Sequence, residues 1–478
     1  MRFDGVTRLK NLVLCGLLFA PGLALSQSLP EAVQIALSQY PTILAAQSRV
    51  EAAGYEVTRA RSGHFPQVGW QGTNSAYSDV GPNPFGPQDT WIQSPTVNMN
   101  IWSGWRIQSE VEFAQSVHET RRQQQNITRD EVAFMVVEAY LNWMRTRELV
   151  SLAEQNLQAH ERLTSDVTKI ASVDPGRRID IDQALVRTEN ARLSLEQRRA
   201  EHQIFSQRLR RMLLGRLPQH PDGYQSIKGT LPVSTDQALA MLNDSHPVIA
   251  QQQARIAGAE ASVRRARSGF SPTVGISYQR QTAQGSGQGD YIAQLNVQVP
   301  LFDGGAAYGA TRGAYSELDA AKQGLTEAKV TLRENLLTSW AEYLSAKQRS
   351  VLGKRQVVNA TKLVKGYDQQ FRVGRRSLLD LLTIQDNLYS YQTNANNAAF
   401  EERIAKAKIL AVLNRLSAVY QGADTGQGHG AASGTAPGTS PRNTAMPSPD
   451  VSPTQPAKSG QVTTQFGSST NMRTEFGQ

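Results

Sequence analysis

Four short stretches of the chain alternate strictly between apolar and polar residues. Val68 and Trp70 alternate with Gln67, Gln71 and Thr73, and Val97, Met99 and Ile101 with Thr96, Asn98 and Asn100. Further on, Val274, Ile276 and Tyr278 alternate with Ser277 and Gln279, and Leu295, Val297, Val299 and Leu301 with Gln294, Asn296 and Gln298. Successive strand side chains point to opposite faces, so the pattern predicts four strands, each with an apolar face and a face of amides and hydroxyls. Elsewhere apolar residues recur at spacings of three and four: Leu318, Ala321, Leu325, Ala328 and Leu332, then Leu381, Ile384, Leu388, Tyr391, Ala395, Ala398, Ala405, Ile409, Val412 and Leu416, interrupted only by Glu402. A weaker version runs through Val132, Val136, Tyr140 and Trp143. A period of about 3.5 residues predicts helices wound on one another. No proline lies between Pro95 and Pro175 or between Pro300 and Pro437, which predicts helices of about 40 to 60 residues, roughly 60 to 90 Å long.

The pattern is also duplicated. Arg59–Gly69, RARSGHFPQVG, returns as Arg265–Gly275, RARSGFSPTVG, 206 positions on. Each copy follows a polar, Ala- and Gln-rich helical stretch and precedes a strand pair, with Gly63 or Gly269 ending the helical signal and Pro66 or Pro272 opening the strand. The preceding stretches, Leu29–Ser62 and Leu231–Ser268, are expected to be helical with breaks at Pro41 and Pro247. The order helix, two strands, long helices is thus made twice, in residues 27–220 and 221–420.

The strands admit two readings. One is a soluble sheet with its apolar face on a core; the other is a membrane barrel, apolar toward lipid and polar toward a lumen. Three features favour the barrel. Residues 1–26 read as a secretory signal, with Arg2, Arg8 and Lys10 before the short apolar run Leu12–Ala20 and a small-residue site at Ala24-Leu25-Ser26. Trp70, Trp91, Trp102, Tyr291 and Phe302 lie near segment ends, and Ser78–Thr90 and Thr282–Asp290 are Gly-, Pro- and Ser-containing links. No apolar stretch long enough for a transmembrane helix follows the signal, so any span must be made of strands. Unpaired strand edges cannot face lipid, and the smallest barrels need about eight strands, so several subunits must share one barrel.

Composition narrows the class further. With 39% hydrophobic residues and a mean hydropathy of −0.42 over 478 residues, long solvated helices fit better than thick globular cores. The formal charge of +9 becomes 9 − 2 = +7 once Arg2, Asp4, Arg8 and Lys10 are removed with the signal. The single cysteine, Cys15, lies in the signal after Leu14, which is not the small residue that a lipoprotein signal requires, so no disulfide or thiolate chemistry is expected. His64, His118, His160, His202, His220, His246 and His429 show no metal-ligand spacing. Gly285-Ser286-Gly287-Gln288-Gly289 joins two strands rather than opening a helix, so it reads as a turn. No catalytic constellation, cofactor motif or nucleic-acid site is visible, and Gln421–Gln478, rich in Gly, Ser, Thr and Pro, reads as a disordered tail.

Each pair of long helices is joined by a tight turn. The first is Val173-Asp174-Pro175-Gly176-Arg177-Arg178, followed by Ile179-Asp180-Ile181-Asp182; the second is Val373-Gly374-Arg375-Arg376, followed by Ser377-Leu378-Leu379-Asp380. Asp182 matches Asp380 between the repeats. On one reading these are hairpin tips with solvated i,i+4 pairs Arg178/Asp182 and Arg376/Asp380, worth about 0.3–0.5 kcal/mol each. On the other, tips converging in a symmetric oligomer ring the axis with carboxylates, which select cations.

The duplicated unit, the RARSG-x-x-P-x-VG junctions and the run VGRRSLLDLLTIQDNLYSYQTN at Val373–Asn394 together resemble the TolC family of outer-membrane channel proteins over roughly Leu29–Tyr420. The resemblance implies an α+β membrane protein in the outer membrane. In it, a trimer closes one 12-stranded β-barrel, four strands per chain, continuous with a long periplasmic α-helical coiled-coil barrel. It also implies a periplasmic adaptor and an inner-membrane ABC or other export pump docking at the hairpin ends, with Gly176, Arg177, Gly374 and Arg375 in the docking turns. By motif, Asp182 and Arg376 fall on a gate-locking charge pair and Asp380 on an entrance carboxylate ring. Phe371 stands where some members carry a gate tyrosine, and Thr383 where they carry a second aspartate. The Val373–Asn394 run looks most like members serving type I protein secretion; small-molecule (drug) efflux is the alternative. A trimeric coiled-coil scaffold without a pore is the rival from another class, though it leaves the amphipathic strands without a use.

Overall fold

The computed structural model describes residues 28–75, 90–218, 227–283 and 290–420. The expected signal peptide with Cys15, most of the two inter-strand links with the Gly285–Gly289 run, the Trp91 side chain and the tail from Gln421 lie outside the described residues.

Local chemistry sets the helix starts. In α1 (Leu29–Gln39), Ser28 and Glu31 form a reciprocal capping box, the Ser28 N–H donating to Glu31 Oε2 at 3.2 Å. Pro41 opens α2 (Pro41–Ser62), where its missing N–H costs nothing. The second repeat departs from expectation here. Leu231–Ser234 is not helical, because Pro232 interrupts it and Ser234 instead caps the six-residue α5 (Thr235–Ala240) by accepting from Gln237 N at 3.2 Å. Helix resumes only in α6 (Pro247–Arg267), whose His246 cap accepts from Val248 N at 3.3 Å.

The strands β1 (Gln67–Ser75), β2 (Thr90–Trp102), β3 (Thr273–Ala283) and β4 (Asp290–Gln298) form one antiparallel sheet in sequence order, with β2 beside β3 joining the repeats. The registers line up the predicted faces. Met99, Ile276 and Leu295 form an apolar row, and Gln67, Asn98, Ser277 and Gln294 a polar one. β4 ends before the expected Val299 and Leu301, because Pro300 cannot donate to the ladder. Among the described residues the apolar face is uncovered, with Val68 at 77% and Leu295 at 65% exposure, and both β1 and β4 have an unpaired edge.

Each strand pair turns into a long helix through left-handed backbone. Gly104 (φ 59) and Trp105 (φ 67) precede α3 (Arg106–Val173), and Gly304 (φ 67) and Gly305 (φ 91) precede α7 (Ala306–Arg372). Glycine adopts this region freely, whereas Trp105 does so at a cost. α3 and α7 contain 68 and 67 residues, longer than expected and about 100 Å each, because nothing breaks them where the other helices begin and end. α4 (Arg178–Met212) returns along α3, and α8 (Leu378–Val412) along α7. Near the sheet the neighbours run α2, α3, α6, α7; toward the hairpin ends they run α4, α3, α8, α7.

A mid-length core joins both ends of the described chain. Val33 of α1, Val132 and Val136 of α3, Leu209 of α4, Leu410 of α8, and Leu416 and Tyr420 of α9 (Leu416–Tyr420) pack together. Its counterpart holds Leu336, Trp340, Ile409 and Leu413. The expected heptad residues Leu381, Leu388, Ala398, Ala405 and Ile409 are buried.

Buried Asp130 clasps the α9 entry, accepting from Leu416 N at 3.0 Å and Ser417 N at 2.9 Å. Asp130→Ala strands both donors and is expected to cost about 2–3 kcal/mol in chemical denaturation of the purified protein. Burial raises the Asp130 carboxyl above its ordinary 3.8, against the opposing hydrogen bonds from Ser417 and Leu416. The folded state therefore holds this proton to higher pH than the unfolded chain. The contribution is fully present below pH 3.8 and is lost as pH rises through the raised folded value. Asp130→Asn should lack that component; equal pH slopes for both proteins would contradict it.

Candidate functional site

The hairpin ends are built by two different turns. In the first, Asp174 accepts from Gly176 N at 3.2 Å and a 3₁₀ turn, Pro175–Arg177, delivers the chain into α4. In the second, Gly374 takes φ 73, with its N–H bonded to Phe371 O at 3.0 Å and the Arg375 N–H to Gln370 O at 2.9 Å. That is a Schellman end, which puts glycine where a side chain would be strained. Ser377 then caps α8, accepting from Asp380 N at 3.2 Å, and Asp380 sits in the first turn, where the helix dipole favours a carboxylate.

Beneath the turns lies a small apolar core of Val167, Ala184, Phe371, Leu378, Leu381 and Leu382. Phe371, lacking a hydroxyl, is a core residue with 4% exposure, and the Arg177 guanidinium lies over its ring at 5.4 Å. Arg177 also bridges Asp180 at 2.9 Å. This replaces the expected Arg178/Asp182 pair, for which no ion pair forms; Arg178 and Asp182 both stand on the exposed side of α4. The other expected pair does form, Arg376 Nη1 lying 3.6 Å from Asp380 Oδ2. Arg376 also donates to Gln370 Oε1 at 3.3 Å and lies 4.1 Å above the Tyr367 ring.

Asp182 and Arg376 are therefore not joined within one chain, and among the described residues no cation lies within ion-pair distance of Asp182. Gly176, Gly374 and Arg375 are exposed at the turn surfaces. Sequence reading missed Asp180, Tyr367 and Gln370, although Arg177/Asp180 was legible as an i,i+3 pair. It also missed Arg372, which ties α7 to Asp166 of α3 at 3.3 Å and to Asp368 at 3.0 Å; the Asp368 hydrogen bond holds the Arg372 guanidinium still further above its usual range.

Among the described residues no cluster of His, Cys, Asp and Glu could hold a metal ion, and no helix is long and apolar enough to cross a membrane. The site offers charge, hydrogen bonds and a small core at one end of a helical layer. Such a set can hold helices together or release them.

One protein-family model, outer membrane efflux protein, matches residues 32–215 and 238–415. The outer membrane efflux protein BepC of Brucella suis is 24% identical over 442 residues, covering 89% of this chain and 95% of the relative. Protein CyaE of Bordetella pertussis is 24% identical over 404 residues, covering 81% of this chain and 84% of the relative. Among solved structures, CusC superimposes with a TM-score of 0.72 at 15% identity, covering 81% of this chain and 92% of that one. The outer-membrane channel OprN gives 0.71 at 19% identity, with 81% and 89% covered.

Proposed function

The chain belongs to the outer membrane efflux protein family, and from that premise we propose that it is the exit duct of a tripartite export system, conducting substrate passively from an inner-membrane pump and a periplasmic adaptor. The protein lies in the outer membrane and projects into the periplasm as one third of a trimeric channel, twelve strands closing one barrel. Members of the family are channels, not enzymes. The observation that carries the reading is a sheet with an exposed apolar face and two open edges running directly into helices of 68 and 67 residues.

At the periplasmic end the exposed Asp182 has no cation within ion-pair distance among the described residues, and α4 lies at one edge of the helical layer while α7, which leads into the Arg376 turn, lies at the other. A ring of three copies brings Asp182 of one protomer toward Arg376 of the next, which makes the pair a lock between subunits. Asp380 then lines the entrance and favours cations. Gly176, Arg177, Gly374 and Arg375 form the turn surfaces on which the adaptor docks. The resemblance of Val373–Asn394 supports export of polypeptides by type I secretion. The word efflux in the name of BepC favours small molecules as the second reading.

Purified trimers in a planar bilayer should give discrete, slowly gated, cation-selective current steps. Well-folded trimers that stay silent even after Arg376→Ser would overturn the channel reading. Deleting the gene separates the substrates: loss of a secreted polypeptide supports type I secretion, and drug hypersensitivity with an intact secreted set supports efflux.

A further inference from the structure

Roughly two to four helical turns above the hairpin ends, three helices meet on one carboxylate. His160 of α3 is fully buried, and its Nε2 lies 3.0 Å from Asp386 Oδ1 of α8. The other oxygen of Asp386 lies 3.1 Å from Arg187 Nη1 of α4. His160 Nδ1 is buried with no partner, so among the described residues the carboxylate of α8 is the one polar group that holds this imidazole.

The contact joins the two hairpins, one made by α3 and α4 and the other by α7 and α8, and its surroundings show why it matters. Within the second hairpin the backbones touch: a Cβ at Gly353 would lie 3.1 Å from Ala395 Cα. Between hairpins the apolar core of Val167, Ala184, Phe371, Leu378, Leu381 and Leu382 lies near the tip, and above it polar side chains also bridge the seam. Tyr389 meets Ser194 at 3.2 Å, and Asn396 donates to Arg145 O at 3.2 Å. Helices joined by backbone packing move as a body, and polar side chains that bridge two such bodies add to what must be broken before they separate. Shifting α8 off the α3/α4 groove leaves a buried imidazole with both nitrogens unpartnered and Arg187 without its counter-charge, a penalty felt only on separation.

We infer that the His160–Asp386–Arg187 clasp is a second lock on the periplasmic end, holding the hairpins together above the tip. This rests on the reading that the hairpin ends close the channel, and it regulates that same closure. His160 and Arg187 act through Asp386 and touch no substrate.

The test is the bilayer current of the full trimer. Asp386→Asn keeps the side-chain volume and weakens both contacts; it should raise open probability at least threefold over wild type, and Asp386→Glu should return it toward wild type. Adding Arg376→Ser should open the channel more than either change alone. Arg187→Gln leaves the His160 contact in place and serves if Asp386→Asn assembles poorly; it should raise open probability by a smaller factor. Trimer stability in detergent should hardly change, since the lock acts between hairpins of an assembled channel. Wild-type currents from both Asp386→Asn and Arg187→Gln, alongside an opened Arg376→Ser, would overturn the clasp and leave the channel reading standing. Failure of every variant, including Arg376→Ser, to change the current would remove the closure reading and the clasp with it.

Discussion

Arg376→Ser is expected to raise the open probability of the trimer in planar bilayers by tenfold to a hundredfold. The magnitude follows from symmetry rather than from any one strong bond. Arg376 and Asp380 are only partly buried, with side-chain exposures of 33% and 46%, and Asp182 is exposed, so breaking the pair at one subunit boundary costs about 0.5–1 kcal/mol. Three equivalent boundaries released together amount to about 1.5–3 kcal/mol, and each 1.4 kcal/mol shifts a two-state equilibrium about tenfold. The substitution also frees Asp380 from its counter-charge, so selectivity for cations over anions should rise with the current. Arg376→Lys keeps the charge but loses the planar fork and should fall between the two. Asp180→Asn, which breaks only the intrachain bridge to Arg177, should leave the open probability within about a factor of two of wild type, as for other exposed pairs. Equal effects of Asp180→Asn and Arg376→Ser would mean that the tip is held by intrachain packing and not between subunits.

The strands and the duplication are legible in the sequence because each rests on a local rule. Alternation at Met99, Ile276 and Leu295 fixes a face whatever the sheet becomes, and Pro41, Pro66, Pro247 and Pro272 act on their own backbone. The end of β4 departs from the pattern because Pro300 outweighs the hydrophobic alternation that continues past Gln298. The strand-to-helix turns are harder to read, although Gly104 and Gly304 repeat like the RARSG junction; a left-handed Trp105 has no sequence signal. The site is less legible because charge partners depend on which helices lie side by side. Arg177 and Arg178 look equivalent in a sequence, and only the 3₁₀ turn decides that Arg177 reaches both Asp180 and the Phe371 ring. His160 gives no sign of its role because its partner Asp386, and the Arg187 that shares that carboxylate, lie on other helices, at separations where no periodic pattern reports a contact.

The outermost helices of the layer carry a further pattern. Ile179, Val186 and Leu193 recur every seven residues on α4 and are all exposed, as are Val330, Leu337, Leu344, Val351 and Val358 on α7. A heptad stripe in water has no energetic reason to exist, and a stripe at each edge of one layer is what a head-to-tail ring requires. Leu193 lies 15 residues above the start of α4, and Val358 lies 14 above the end of α7, so at 1.5 Å per residue both stand roughly 21–23 Å from the tip. Leu193→Asp or Val358→Lys alone buries three uncompensated charges per ring at a cost of several kcal/mol each. Each single variant is expected to run as a monomer in mass photometry of detergent-solubilised protein. Combined, the two changes place opposite charges across each interface, and a large part of the trimer population should return. Single variants that remain fully trimeric would show that the stripes face something other than a second copy. Loss of the trimer without recovery in the double variant would place Leu193 and Val358 at different heights in the assembled ring.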